Sequence, residues 1–267
     1  MERTALQELI SFGFLAPEIH QVVLDHRACP FIRTEWCGED GYFALNTGAR
    51  LDLSLNGVGL RKSNLPKLRE SETFAVHSIE EFTLLGQSRP AGEVTVFPGS
   101  DEGNVFGTVG ILFFKEATVA CDPAGPHVAV AKRAWVAPSG KEPFDRLTHV
   151  GESGLPITTD VHLSRTPDIL PATLLSTGTA RSYVSQRFAA GLPPKTINRH
   201  DIIEITLPTA GALSIAVESA GSTPTYAVPL GVAHIDLVLG MDVLRNFISI
   251  FDFRNGLTLL KPYRGAV

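Results

Sequence analysis

Few residue types in this 267-residue chain stand at spacings that support catalysis. The eight histidines do not cluster, and no His-Glu-x-x-His, paired Cys-x-x-Cys or calcium-loop spacing occurs, so no metal site is expected. Pro138-Ser139-Gly140-Lys141 lacks the leading glycines of a phosphate loop, and Gly151-Glu152-Ser153-Gly154 is not the Gly-x-Ser-x-Gly of a nucleophile elbow. No cofactor is expected either. What remains is a pair of similar segments, Asn46-Thr47-Gly48-Ala49-Arg50 and Ser176-Thr177-Gly178-Thr179-Ala180-Arg181. Each offers a short uncharged polar side chain, then a hydroxyl, then a glycine that would tolerate φ > 0 in a sharp loop. An Asn amide hydrogen-bonds but takes no proton at ordinary pH, and a Ser hydroxyl titrates far above neutrality. Asp52, Asp122, Asp242 and Asp252 read as structural carboxylates. Asp52 faces solvent from the alternating run Leu51–Leu55, Asp242 sits at the start of a helix over 243–247, and the other two serve strand ends or turns.

The pair belongs to a longer repeat. Leu45-Asn46-Thr47-Gly48-Ala49 recurs as Leu175-Ser176-Thr177-Gly178-Thr179 at an offset of 130 (176 − 46). Val105-Phe106-Gly107 recurs as Val238-Leu239-Gly240 at an offset of 133 (240 − 107). Both glycine blocks lead to an aspartate, Asp122 and Asp252. Around them, short runs of Val, Ile, Phe and Thr alternate with Gly, Pro and Asp punctuation, which predicts a mainly β chain with a few short helices. Gly38–Gly41 reads as a hairpin turn, as does Pro208–Gly211. A helix is expected from Thr4 to Gly13, with Thr4 and Gln7 as a capping box. The halves divide as an N-terminal extension over 1–30, a first lobe over 31–137 and a second over 138–267, joined near Ala137–Lys141.

The order apolar residue, polar-Thr-Gly, then a later apolar-apolar-Gly and short helix resembles one lobe of a pepsin-like or retropepsin-like aspartic peptidase. The second half matches better, through Ala172–Ala180, Leu237–Phe247 and the closing strands 248–253 and 255–259. The resemblance implies a bilobal acid-protease fold. It also implies that the two catalytic aspartates belong where Asn46 and Ser176 stand. Aspartic proteolysis needs two carboxylates sharing one proton. With both replaced, the resemblance implies a non-peptidase that holds a peptide or protein segment in its interlobe cleft. Thr47, Gly48, Arg50, Thr177, Gly178 and Arg181 then line the cleft, and an acidic ligand is one use for the arginines. The alternative is an aspartic endopeptidase whose carboxylates have been substituted. Flap-like hairpins are expected at Phe82–Phe97 and Ile202–Val217.

Composition agrees with a folded chain: 44% hydrophobic and 19% charged residues support a substantial core. A net charge of −5 with no basic face argues against nucleic acid as a partner. No leader-like or membrane-length apolar segment is visible, which predicts a soluble, cytoplasmic chain without a membrane partner. Cys29, Cys37 and Cys121 are expected as buried free thiols, with one Cys29–Cys37 bridge as the alternative, and two fused lobes allow a monomer.

Overall fold

The computed structural model describes residues 5–97, 103–136, 144–151, 153–198, 202–207, 211–217 and 235–263. The expected join at 137–141, Thr4 of the capping box and the turn 208–210 lie outside them. In the first half, the strands Pro30–Trp36 and Glu39–Leu45 form an antiparallel hairpin. Its turn is Cys37-Gly38, with φ of 53° and 82°. Two positive φ values in a two-residue loop match the strand twist, so Glu39–Gly41 belong to the strand rather than to the turn expected there. Glu39–Leu45 then pairs in parallel with Val105–Val109, Leu45 opposite Val109, inside an eight-stranded sheet. In the second half the corresponding sheet has four described strands. There Thr173–Leu175 pairs in parallel with Leu237–Leu239, Leu175 opposite Leu239.

The register of these parallel pairs corrects the reading of the repeat. Gly110, not Gly107, is the counterpart of Gly240. Each precedes a short helical turn, Ile111–Phe114 after Gly110 and Met241–Leu244 after Gly240. Their backbones agree closely, at φ −111° and ψ −171° for Gly110 and φ −94° and ψ −169° for Gly240. Gly107 lies within its strand, where an added Cβ would stand 1.9 Å from the Ser54 carbonyl oxygen. The helix expected over 243–247 begins and ends earlier, at Met241 and Leu244, because Phe247 opens the next strand.

A six-stranded sheet joins the halves. Its order runs Ile19–Gln21, His127–Ala131, Thr118–Asp122, Phe247–Asp252, Leu257–Pro262, Asp145–Thr148. The central strands are buried on both faces, which suits their mostly apolar sequences. Alternation divides them. Val119, Cys121, Val128, Val130, Phe247 and Phe251 face the main core, while Ala120, Ala129, Ala131, Ile248 and Ile250 face the opposite side. That second face is covered by the opening helix Ala5–Ser11 and the residues after it, through Leu9, Phe12 and Phe14. Gly13, at φ 89°, stops the helix. Alanines on the sheet allow close approach by the large helix side chains. Polar ties fix the same contact: Trp135 donates from Nε1 to the Phe12 carbonyl at 2.9 Å, and Lys261 Nζ lies 2.6 Å from Glu8 Oε1. The extension therefore packs across strands of both halves.

Among the described residues no helix is long and apolar enough to cross a membrane. The three thiols are unbridged; Cys29 and Cys121 are buried, but Cys37 is exposed at its hairpin turn. Burial raises the Cys29 thiol to about 11 and Cys121 to about 12. The first flap-like hairpin starts earlier than expected. Ala75–Ile79 pairs with Gly92–Val96, and the tip is a smaller hairpin, Phe82–Leu84 with Gln87–Arg89, turning at Leu85-Gly86. In the second half Ile202–Leu207 pairs with Gly211–Ala216.

Two measurements follow from this packing. Leu9→Ala leaves a void between helix and sheet and should cost about 2–5 kcal/mol in urea denaturation. His149 accepts or donates at 2.7 Å to Thr258 Oγ1, and burial lowers its imidazole to about 4, opposed by Asp252. Its folded value lies below the ordinary 6.5. Its contribution is therefore full above pH 6.5 and is lost as pH falls through about 4. After allowance for partial solvent contact, His149→Gln should flatten the acid loss of stability by on the order of 2 kcal/mol.

Candidate functional site

The two similar loops meet. Each follows a strand whose partner holds the loop's first amide: Asn46 N–H donates to the Val109 carbonyl and Ser176 N–H to the Leu239 carbonyl, both at 2.9 Å. The next residues cross between the halves. Thr47 Oγ1 donates to the Leu175 carbonyl at 3.0 Å and accepts from Thr177 N–H at 3.1 Å. Reciprocally, Thr177 Oγ1 donates to the Leu45 carbonyl at 2.9 Å and accepts from Thr47 N–H at 3.1 Å. Both threonines are buried. Four bonds thus use each hydroxyl as donor and acceptor, and satisfy backbone groups that the loops would otherwise leave orphaned.

This crossing sets Asn46 against Ser176. Ser176 Oγ donates to Asn46 Oδ1 at 3.2 Å, and Gly48 N–H donates to the same oxygen at 2.9 Å. Thr179 Oγ1 lies 2.7 Å from Ser176 Oγ. Because the serine proton is committed to Asn46, Thr179 is the donor in that contact. Neither member titrates in the ordinary range, so the pair cannot share a proton between two oxyacids. It can hydrogen-bond.

The glycines are required here for proximity rather than for unusual φ. Neither Gly48 nor Gly178 is among the residues with positive φ. A Cβ on Gly48 would come within 2.4 Å of Ser176 Oγ, and one on Gly178 within 2.2 Å of Asn46 Cγ. Each loop's glycine makes room for the other loop's polar side chain.

The remaining expected residues are placed differently. Arg50 is exposed but donates from Nε to the Ser153 carbonyl at 2.9 Å, tying the first loop to the second half. Arg181 is exposed. Asp242 Oδ1 accepts from Ser182 N–H, Ser182 Oγ and Val243 N–H, at 2.8, 2.6 and 3.0 Å, and Ser182 Oγ accepts from Gly240 N–H. It fastens the second loop. Asp122 and Asp252 end equivalent strands and accept from Gly125 N–H and Asn255 N–H. Sequence reasoning missed Arg89. Its guanidinium pairs with Asp52 at 3.3 Å, donates to the Leu112 carbonyl and lies over the Phe113 ring, on which Phe82 stacks. The hairpin tip is thereby pinned beside the Asn46 loop. An arginine in a hairpin carries no local signal of this; only the fold brings Asp52 to it. A separate groove lined by Arg165, Pro194, Lys195, Ile197 and Asn198 contains none of these residues.

The threonine crossing is open to direct test. Thr47→Val keeps the shape but strands the Leu175 carbonyl and the Thr177 N–H without partners. It should cost about 2–5 kcal/mol in urea denaturation, and Thr177→Val about the same.

No family model and no curated protein matches this sequence. Solved structures do. The chain is similar to basic 7S globulin from soybean, at 11% identity, TM-score 0.50, with 91% of this chain and 93% of that one covered. It is also similar to the aspartic proteinase from Irpex lacteus, at 10% identity, TM-score 0.52, with 93% and 98% covered. Its architecture is the mainly β, bilobal fold of the pepsin-like aspartic proteinases.

Proposed function

We propose that this chain is a non-hydrolysing protein on an aspartic-proteinase fold that holds an extended peptide or protein segment in the cleft between its lobes. On this reading residues 31–137 and 138–267 form the lobes and 1–30 the extension. The observation that carries the proposal is the pair Asn46–Ser176 at the crossing of the two loops. In aspartic proteolysis one carboxylate takes a proton from water while its partner donates to the scissile carbonyl. An amide and a hydroxyl bonded to each other supply neither step. Strand edges and the hairpins around the cleft still suit backbone pairing with an extended chain.

A second reading, an aspartic endopeptidase with both carboxylates substituted, draws on a different observation. Gly48 N–H and Thr179 Oγ1–H both point at the two positions, and such donors stabilise a carboxylate. The test separates the two. A mixed peptide library is incubated from acid to neutral pH with this chain and with Asn46→Asp/Ser176→Asp, and cleavage is read by mass spectrometry. No cleavage, with retention of a subset of peptides on the immobilised chain, is the expected result. Cleavage by the unaltered chain would overturn the proposal, and cleavage by the double variant alone would show that only the carboxylates are missing.

A further inference from the structure

The two positions differ in what they can offer a ligand. Ser176 is buried at 1% exposure, whereas Asn46 keeps part of its surface. The serine hydroxyl is consumed internally: it donates to Asn46, accepts from Thr179 and packs against the Gly48 backbone. The orientation of the Asn46 amide is dictated by its neighbours. A backbone N–H can only donate, so the atom facing Gly48 N–H must be the amide oxygen. The serine proton falls on that same oxygen. The Asn46 NH₂ group therefore points away from both, over Gly178, whose missing side chain leaves room for it; a Cβ there would stand 2.5 Å from Nδ2. Among the described residues nothing accepts from Nδ2. Gly178 itself is exposed, which opens this edge of the site.

We propose that the Asn46 carboxamide presents its neutral NH₂ group to the cleft as donor and that the acceptor it takes is an amide carbonyl of the bound peptide. Ser176, through its proton, acts with the Gly48 N–H as a positioning residue that holds the amide with its nitrogen outward. The assignment rests on the peptide-holding reading above and adds the polarity of the contact. It reverses the polarity of an ionised carboxylate at this position, which would repel a carbonyl oxygen and attract an N–H. The charged groups on the two loops and the elements against them are Arg50, Asp52 with Arg89, Arg181 and Asp242. Four of these five residues, all but Arg181, hold hydrogen bonds or an ion pair of their own.

The probe is an end-capped, amidated octapeptide selected on the immobilised chain from a library built only of Gly, Ala, Val, Leu and Phe, so that only amide carbonyls can accept. Its affinity near neutral pH is compared for the unaltered chain, Asn46→Ala and Asn46→Asp, each checked for an unchanged melting curve. The donor assignment predicts the order unaltered, then Ala, then Asp. Truncation should lose a few-fold and the isosteric Asp about tenfold or more, because it replaces attraction by repulsion. A role in shape alone predicts the opposite order, since Asp preserves the shape and Ala does not. Asp binding as well as the unaltered chain, or better than Ala, overturns the assignment and leaves peptide holding intact. Failure of the unaltered chain to retain any peptide overturns both. Should Asn46→Asp unfold, Ser176→Ala supplies the comparison. Freed from the serine proton, the amide should bind the octapeptide a few-fold more weakly, and unchanged affinity contradicts the positioning role.

Discussion

Thr47 and Thr177 lie where two strand ends from opposite halves meet, and each hydroxyl bridges to the other half's backbone in both directions. Everything at the site depends on that crossing. It fixes the separation of the two loops to within a hydrogen-bond length. That separation leaves space only for a glycine after each threonine. It also brings the residues before the threonines, Asn46 and Ser176, into contact. The crossing would not hold without rigid supports behind it, and these are the parallel strand pairs that receive the first amide of each loop. Farther back, the six-stranded sheet and its helical cover tie the halves together, because strands of both run through it.

The scaffold constrains positions more than it constrains chemistry. None of the four threonine bonds involves the side chain at 46 or 176, so the fold can carry a charged pair or a neutral one there with the same geometry. A charged pair must share a proton to avoid repulsion. The neutral pair has no such need, and one O–H···O bond settles its arrangement. An amide and a hydroxyl offer no carboxylate at these two positions to take a proton from water. What it keeps is asymmetry: one side chain turned inward and satisfied, the other turned outward over a glycine. On the function proposed above, that asymmetry is the chemical content of the site.

Much of this was legible in the sequence, and what was not has identifiable causes. Each Thr-Gly segment is a local pattern, and its recurrence at an offset of 130 marks two similar loops in the sequence. The second repeated block was misaligned by three residues because Gly107 and Gly110 both follow apolar residues. Only the pairing of Val109 with Leu45 tells them apart. The reason for Gly48 and Gly178 was likewise hidden. A glycine needed for left-handed φ and one needed for close approach look the same in sequence, and the second kind depends on a residue 128 or 132 positions away. The opening helix was expected, but its partner was not. Its apolar residues meet a sheet assembled from distant strands, and alternation along those strands becomes meaningful only when both faces are known to be covered. Arg50 was expected to reach the interface. In the structure one of its N–H groups, on Nε, ties the first loop to the Ser153 carbonyl of the second half.

The central claim is that Asn46 turns its amide nitrogen into the cleft as a neutral donor with no acceptor among the described residues. The most direct measurement is the side-chain ¹⁵N–¹H resonance pair of Asn46, assigned by its disappearance in Asn46→Asp, during titration with the selected amidated octapeptide. The account predicts that the pair shifts in step with saturation. Saturation of the chain by the peptide while the Asn46 pair stays in place would contradict it.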